Sequence, residues 1–286
     1  MIYLDSFYYP SYDEEYAFRL NKVKRTCYNT MYPFFTLSAH GMTELRFEPI
    51  TVLYGGNGCG KTTALNVIAE KLRLNRDTLY NRSSFFENYV DMCYCDIKKP
   101  VPSSSRIITS DDVFDFMLNV RSINSGVDLK RDALTDEYLE SKYSHFSLNS
   151  LDDYEKLKTV NAARSKTRSR FIRERLQTNV REHSNGESAY MYFTDKIREN
   201  ALYLLDEPEN SLSPERQLEL MKYIENAVRF YGCQIILSTH SPFLLSLRFA
   251  KIYDIDGEQT TVKKWTELKN VRAYYEFFKA HEKEFE

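Results

Sequence analysis

Tryptophan occurs once in these 286 residues, glycine nine times and proline eight, which excludes collagen-like and low-complexity linker architectures. Cysteine is scarce too. Cys27, Cys59, Cys93, Cys95 and Cys233 are odd in number and scattered, which fits reduced thiols rather than a disulfide framework. Cys93 and Cys95 stand close together, but no second Cys/His pair accompanies them, so a zinc site is not indicated. No run approaches the roughly 18–20 apolar residues that cross a bilayer. Met1–Asp5 offers no basic stretch ahead of an apolar one. The expectation is a cytoplasmic protein without a membrane span. A formal charge of −2 gives no global attraction to nucleic acid, so any such binding needs a local patch.

What the chain does have is an ordinary globular composition, 42% hydrophobic and 28% charged, at a length that can bury a full α/β core. Two stretches carry chemistry. Gly55-Gly56-Asn57-Gly58-Cys59-Gly60-Lys61-Thr62 fits G-x-x-x-x-G-K-[ST]. Ile50–Tyr54 before it is a short β-branched run, and Ala64, Leu65, Ile68, Ala69 and Leu72 after it recur at helical spacing. That strand–loop–helix order is what a phosphate loop requires. Glycines let backbone N–H groups converge on phosphate oxygens, Lys61 reaches the β- and γ-phosphates, and Thr62 can ligate Mg²⁺. Asn57, Gly58, Cys59, Gly60 and Thr63 complete the expected cradle. A fortuitous match to this pattern is expected only about 0.01 times in a chain this long.

The second stretch is Leu202-Tyr203-Leu204-Leu205-Asp206-Glu207, an apolar run ending in two carboxylates. Acids often follow a buried strand, so it is weak alone. Beside a phosphate loop it gains meaning, with Asp206 assigned to Mg²⁺ and Glu207 to the attacking water. Gln234–Ser238 is a further buried strand, ending in Thr239-His240-Ser241-Pro242. A lone His here is ordinarily a solvated loop residue, but the neighbouring motifs make His240 a γ-phosphate sensor. ATP and Mg²⁺ are therefore the expected ligands.

Strands at 201–205, 234–238 and 251–255 alternate with helices at 214–230, 242–248 and 270–284, which implies a largely parallel sheet covered on both faces. The first 54 residues read as β-rich, with strands at Pro33–Leu37 and Glu44–Phe47. Residues 75–182 break the rhythm and read as an inserted, mostly helical subdomain, leaving 1–74 and 183–286 as the core of one head. A helix start is expected at Ser110-Asp111-Asp112. Tyr3, Tyr8, Tyr9, Tyr12 and Tyr16 suit packing or an oligomer contact better than a ligand site.

On these motifs the chain resembles an ABC-type ATPase of the SMC/double-strand-break-repair branch, in the short form called the AAA family ATPase of bacterial genomes. Gly55–Thr62 is similar to Walker A, Leu202–Glu207 to Walker B, Glu209-Asn210-Ser211-Leu212-Ser213 to the D-loop and Ser238-Thr239-His240 to the switch histidine. Ser184-Asn185-Gly186-Glu187-Ser188 occupies the signature position. The likeness covers roughly 33–74 and 183–286. It implies a P-loop fold with an antiparallel N-terminal β part and a homodimer closed by ATP, in which Ser184, Gly186 and Glu187 face the partner's nucleotide. Two departures stand out. The signature reads Ser-Asn-Gly-Glu rather than Ser-Gly-Gly-Gln. The expected Q-loop Gln is missing, since Gln177 alone lies in that interval, too near the signature.

Arg164, Lys166, Arg168, Arg170, Arg173, Arg175 and Arg181 form a basic segment, 164–181, that can bind DNA or RNA or simply be a solvated, paired face. Phe171 is its one aromatic, too few for base stacking. The function expected is an ATP-gated dimeric switch in DNA maintenance or anti-phage defence, working with a separate nuclease or toxin. The alternatives are the nucleotide-binding subunit of a transporter and a regulatory module with little turnover.

Overall fold

The computed structural model describes residues 1–22, 30–143, 154–176 and 185–285. They divide into two compact units, Met1–Asp115 with Asn185–Glu286, and Phe116–Ser184. The larger unit begins with β1 (Leu4–Tyr8), α1 (Tyr12–Lys22), β2 (Glu44–Arg46), β3 (Ile50–Tyr54), α2 (Lys61–Lys71), α3 (Phe86–Met92), β4 (Tyr94–Ile97) and β5 (Arg106–Thr109). Helix α4 (Ser110–Tyr143) runs on into the smaller unit, which also holds α5 (Tyr154–Ser165) and α6 (Arg168–Arg173). The chain then returns with α7 (Asn185–Lys196), β6 (Leu202–Asp206), α8 (Pro214–Phe230), β7 (Gln234–Ser238), α9 (Pro242–Leu245), β8 (Lys251–Asp254), β9 (Thr261–Lys263) and α10 (Lys269–Ala280).

The main sheet has the order β5-β6-β7-β3-β8-β9, parallel except for the antiparallel edge β9. Every residue of β3, β6 and β7 is buried, which is why these strands read as mostly apolar runs. A second, antiparallel sheet has the order β2-β1-β4. The α/β class with a mostly parallel sheet and an antiparallel N-terminal part is thus the observed architecture. Gln234 joins the two sheets. Its fully buried amide accepts from Tyr3 N at 2.7 Å and Leu4 N at 2.9 Å, and donates to Leu4 O at 2.8 Å.

Several expectations need correction. Pro33–Leu37 is a turn leading into a 3₁₀ helix, not a strand. Its backbone finds a carboxylate instead of a sheet partner, because Glu15 Oε2 accepts from Phe35 N at 2.5 Å and from Ser38 Oγ at 2.8 Å. Residues 12–22, part of the stretch read as β-rich, form α1 instead. Ser11 and Glu14 close a reciprocal capping box at its start, with Ser11 N donating to Glu14 Oε2 at 2.8 Å. The stretch 75–115, assigned to the helical insertion, belongs to the larger unit, where β4 pairs with β1 and β5 with β6. Helix α4 does begin at Ser110, capped by Thr109, whose hydroxyl accepts from Asp112 N at 3.3 Å.

The smaller unit has its own core of Tyr138, Ala163 and Phe171. Acids answer the basic segment there. Glu174 pairs with Lys166 and, at 3.1 Å, with Arg170, while Glu137 takes Arg175 at 3.2 Å. Phe171 is buried beneath the Arg175 guanidinium. Arg181 lies outside the described residues. Among those residues, no helix is long and apolar enough to cross a membrane.

Candidate nucleotide site

In an open parallel sheet the loops after the strands gather ligands at one edge, and this chain places its motifs there. β3 hands over to the Gly55–Gly60 loop and α2 begins at Lys61. Gly60 holds φ 95, a conformation that side chains resist. A Cβ there would stand 2.7 Å from Leu37 Cδ2. Gly58, at φ 84, faces open space where a Cβ would meet nothing within 4 Å, as a cradle for an oxyanion requires. Lys61 is buried, and its ammonium donates to Gly55 O at 2.8 Å and Gly56 O at 3.0 Å. Asn57 is exposed. The Cys59 thiol is buried and burial pushes its pKa up, so it is a packed small residue rather than an activated thiol. Thr63 is buried, its hydroxyl 3.1 Å from Tyr32 Oη.

The parallel register pairs Asp206 with Ser238 on one side and Thr109 on the other. Asp206 Oδ1 accepts from Ser238 Oγ at 2.5 Å and from Thr62 Oγ1 at 3.2 Å. Burial pushes this carboxyl above the ordinary Asp range, against the pull of those two hydrogen bonds. A divalent cation would offset that burial, and a hydroxyl beside a carboxylate is the hard-oxygen donor set that suits Mg²⁺. Thr62 and Asp206 open onto a cavity of about 300 Å³ that Tyr32, Asn66, Ser110 and Asp111 also line.

Glu207 sits at φ 47, with its N–H held at 3.1 Å by both the carbonyl and the hydroxyl of Ser238. This bend points its carboxylate back over the loop. Oε1 stands 3.8 Å from Lys61 Nζ and 3.6 Å from His240 Nε2, and Oε2 accepts from Asn210 Nδ2 at 3.0 Å. His240 Nε2 is buried and makes no hydrogen bond. Burial, with Lys61 beside it, lowers the imidazole pKa below 6.5. Lys61, Thr62, Asp206, Glu207 and His240 therefore stand close together beyond the ends of β3, β6 and β7.

The signature fares differently. Ser184 lies outside the described residues. Gly186 and Glu187 lie in the first turn of α7, where a Cβ added at Gly186 would stand 3.6 Å from Ser211 O and 3.7 Å from Ser213 N in the D-loop-like segment.

Sequence reasoning missed three participants and gave a fourth, Glu209, only a place in the D-loop-like segment. Glu209 Oε1 accepts from His240 N at 2.5 Å and Ser241 N at 3.2 Å. Asn270 Nδ2 donates to His240 O at 2.9 Å. The Asp256 carboxylate accepts from Gly56 N and braces the loop from the end of β8. Asp111 follows β5 into the cavity that Thr62 and Asp206 line, in the interval where the Q-loop Gln was missing. An acid just past a predicted strand was a usable signal for Asp256; Asp111 stood at an expected helix start, and Asn270 carried none.

A family model described as "AAA domain, putative AbiEii toxin, Type IV TA system" matches residues 104–246, half of the chain. No curated protein matches. Three solved structures show the level of likeness. The dimeric post-hydrolysis state of the ATP-binding cassette MJ0796 bound to ADP and Pi is 13% identical, with a TM-score of 0.38, over 79% of this chain and 90% of that one. The dimeric structure of MJ0796, a bacterial ABC transporter cassette, is 15% identical at 0.39 over 79% and 90%. A nucleotide-free ATP-binding cassette from an ABC transporter is 13% identical at 0.38 over 82% and 87%.

Proposed function

The chain belongs to the AAA-domain family of that description, and from this premise we propose that it binds Mg²⁺·ATP and hydrolyses it as an ABC-type switch. One observation carries the reading: the hydroxyl of Thr62 meets the carboxylate of Asp206 while the ammonium of Lys61 faces Glu207 in the same cleft. The loop amides and Lys61 bind the phosphates. Thr62 and Asp206 hold the metal, which supplies charge neutralisation on the phosphate oxygens when bound. Glu207 takes a proton from the attacking water, and His240 Nε2, unengaged in this state, meets the γ-phosphate.

The signature Ser184, Gly186 and Glu187 of one copy completes the pocket of another, so that ATP closes a homodimer. The Ser-Asn-Gly-Glu form supports the SMC/repair-like branch. The family's description, a putative AbiEii toxin of a type IV toxin–antitoxin system, supports a role in defence rather than as a transporter subunit, and the separate effector we place beside it is a nuclease. Arg168 and Arg173 stay exposed on the basic segment and are the residues through which DNA or RNA would act.

Calorimetric titration with Mg²⁺·ATP tests the binding step. Lys61→Ala is expected to weaken affinity at least about tenfold, the scale of a lost charge-assisted phosphate contact. Unchanged affinity in that variant would remove the phosphate loop from the account. Salt-dependent stimulation of turnover by DNA or RNA tests the nucleic-acid step.

A further inference from the structure

Helix α10 carries an aromatic stripe that the described chain leaves uncovered. Val271 is its buried position. Tyr274, Tyr275 and Phe278 follow at three, four and seven residues along the same face, and the Phe285 ring lies 6.1 Å from that of Phe278. These four side chains are 50%, 55%, 53% and 73% exposed. A monomer rarely leaves such a stripe in water without a use for it. The charges on and beside the helix are not evenly spread. Around its start Lys264, Lys269 and Arg272 outnumber Glu267, whereas Glu276 and, in the turn beyond its end, Glu282 and Glu284 outnumber Lys279 and Lys283.

We propose that α10 pairs antiparallel with α10 of a second copy of this chain, in a dimer that needs no nucleotide. Antiparallel pairing sets the basic start of each helix against the acidic end of the other. A parallel pair would oppose like charges. The mixed charge also disfavours an anionic membrane surface, which calls for cations along the polar face. Half-exposed aromatics bury about 100 Å² each, so four from each copy, with their aliphatic neighbours, approach the roughly 1,000 Å² that a specific interface needs. An interface at that lower limit makes the association weak and reversible. It does not rest on the ATP reading.

Sedimentation velocity of the nucleotide-free full chain from about 1 to 100 µM tests this, a range that brackets such affinities. A monomer–dimer equilibrium is expected. Tyr274→Glu with Phe278→Glu weakens it at least about tenfold while circular dichroism stays unchanged. Lys269→Glu with Arg272→Glu weakens it as well, and adding Glu282→Lys with Glu284→Lys to that pair restores it, since the reversed ends again complement each other. A chain that is monomeric throughout, a dimer indifferent to the aromatic pair, or a charge reversal without restoration overturns the proposal. So does a monomer that floats with phosphatidylcholine–phosphatidylglycerol vesicles. Loss of ATP binding with this dimer intact counts against the proposed function instead.

Discussion

Glu209 Oε1 accepts the backbone N–H of His240 at 2.5 Å, so an acid from the segment after β6 fixes the backbone of the histidine after β7. The carboxylate is buried, its other oxygen makes no hydrogen bond, and burial raises its pKa. Glu209→Ala strands the N–H groups of His240 and Ser241, which costs about 1–3 kcal/mol of stability in denaturant unfolding. Glu209→Gln keeps an acceptor oxygen and recovers most of that loss. Turnover follows the same order, because the histidine is mispositioned in the Ala variant. Equal stability and turnover in all three proteins would remove Glu209 from this role.

His240 carries a pH dependence with a definite sign. Its folded pKa lies below 6.5. Between the lowered value and 6.5 the unfolded chain binds more protons than the folded one, so stability rises with pH through that window. Ring resonances of His240 in the nucleotide-free protein are expected to titrate below 6.5. The same stretch of the stability–pH curve flattens in His240→Ala. A titration midpoint above 6.5 contradicts the buried setting of the ring.

Gly60→Ala tests the loop geometry without touching its charges. Alanine at φ 95 is strained, and its Cβ meets Leu37 Cδ2 at 2.7 Å. Thermal unfolding should show a loss of about 1–3 kcal/mol, accompanied by weakened ATP binding. The same substitution at full stability and affinity would mean the loop relaxes freely.

Gln234→Leu removes the amide that joins the two sheets. It leaves Tyr3 N, Leu4 N and Leu4 O without their buried partner. A loss of about 2–5 kcal/mol in unfolding experiments is expected, with ATP affinity retained in the folded fraction. A cost under about 1 kcal/mol would show that these groups find other partners.

The phosphate loop and its strands were legible because their geometry admits few residue types. A positive φ at Gly60 and three fully buried strands write themselves into the sequence as glycine and as mostly apolar runs. The Asp206–Glu207 pair was legible for the same reason, since it ends one of those runs. Pro33–Leu37 misled because buried Phe34 and Leu37 look like strand residues, while the partner that settles their backbone is the side chain of Glu15, some 20 residues away. β4 escaped notice because its residues are mostly exposed and show no alternation. Gln234 and Asn270 act across separations that local pattern does not register.

Single-turnover hydrolysis by Glu207→Gln, measured beside Mg²⁺·ATP affinity, tests the central claim most directly. The amide keeps the shape of the side chain but cannot take a proton from water, and it removes a negative charge that stands 3.8 Å from Lys61 Nζ, where the γ-phosphate must come. The account predicts binding at least as tight as that of the native chain, with hydrolysis slowed at least about 100-fold. Hydrolysis at the native rate, or no ATP binding by either protein, would contradict it.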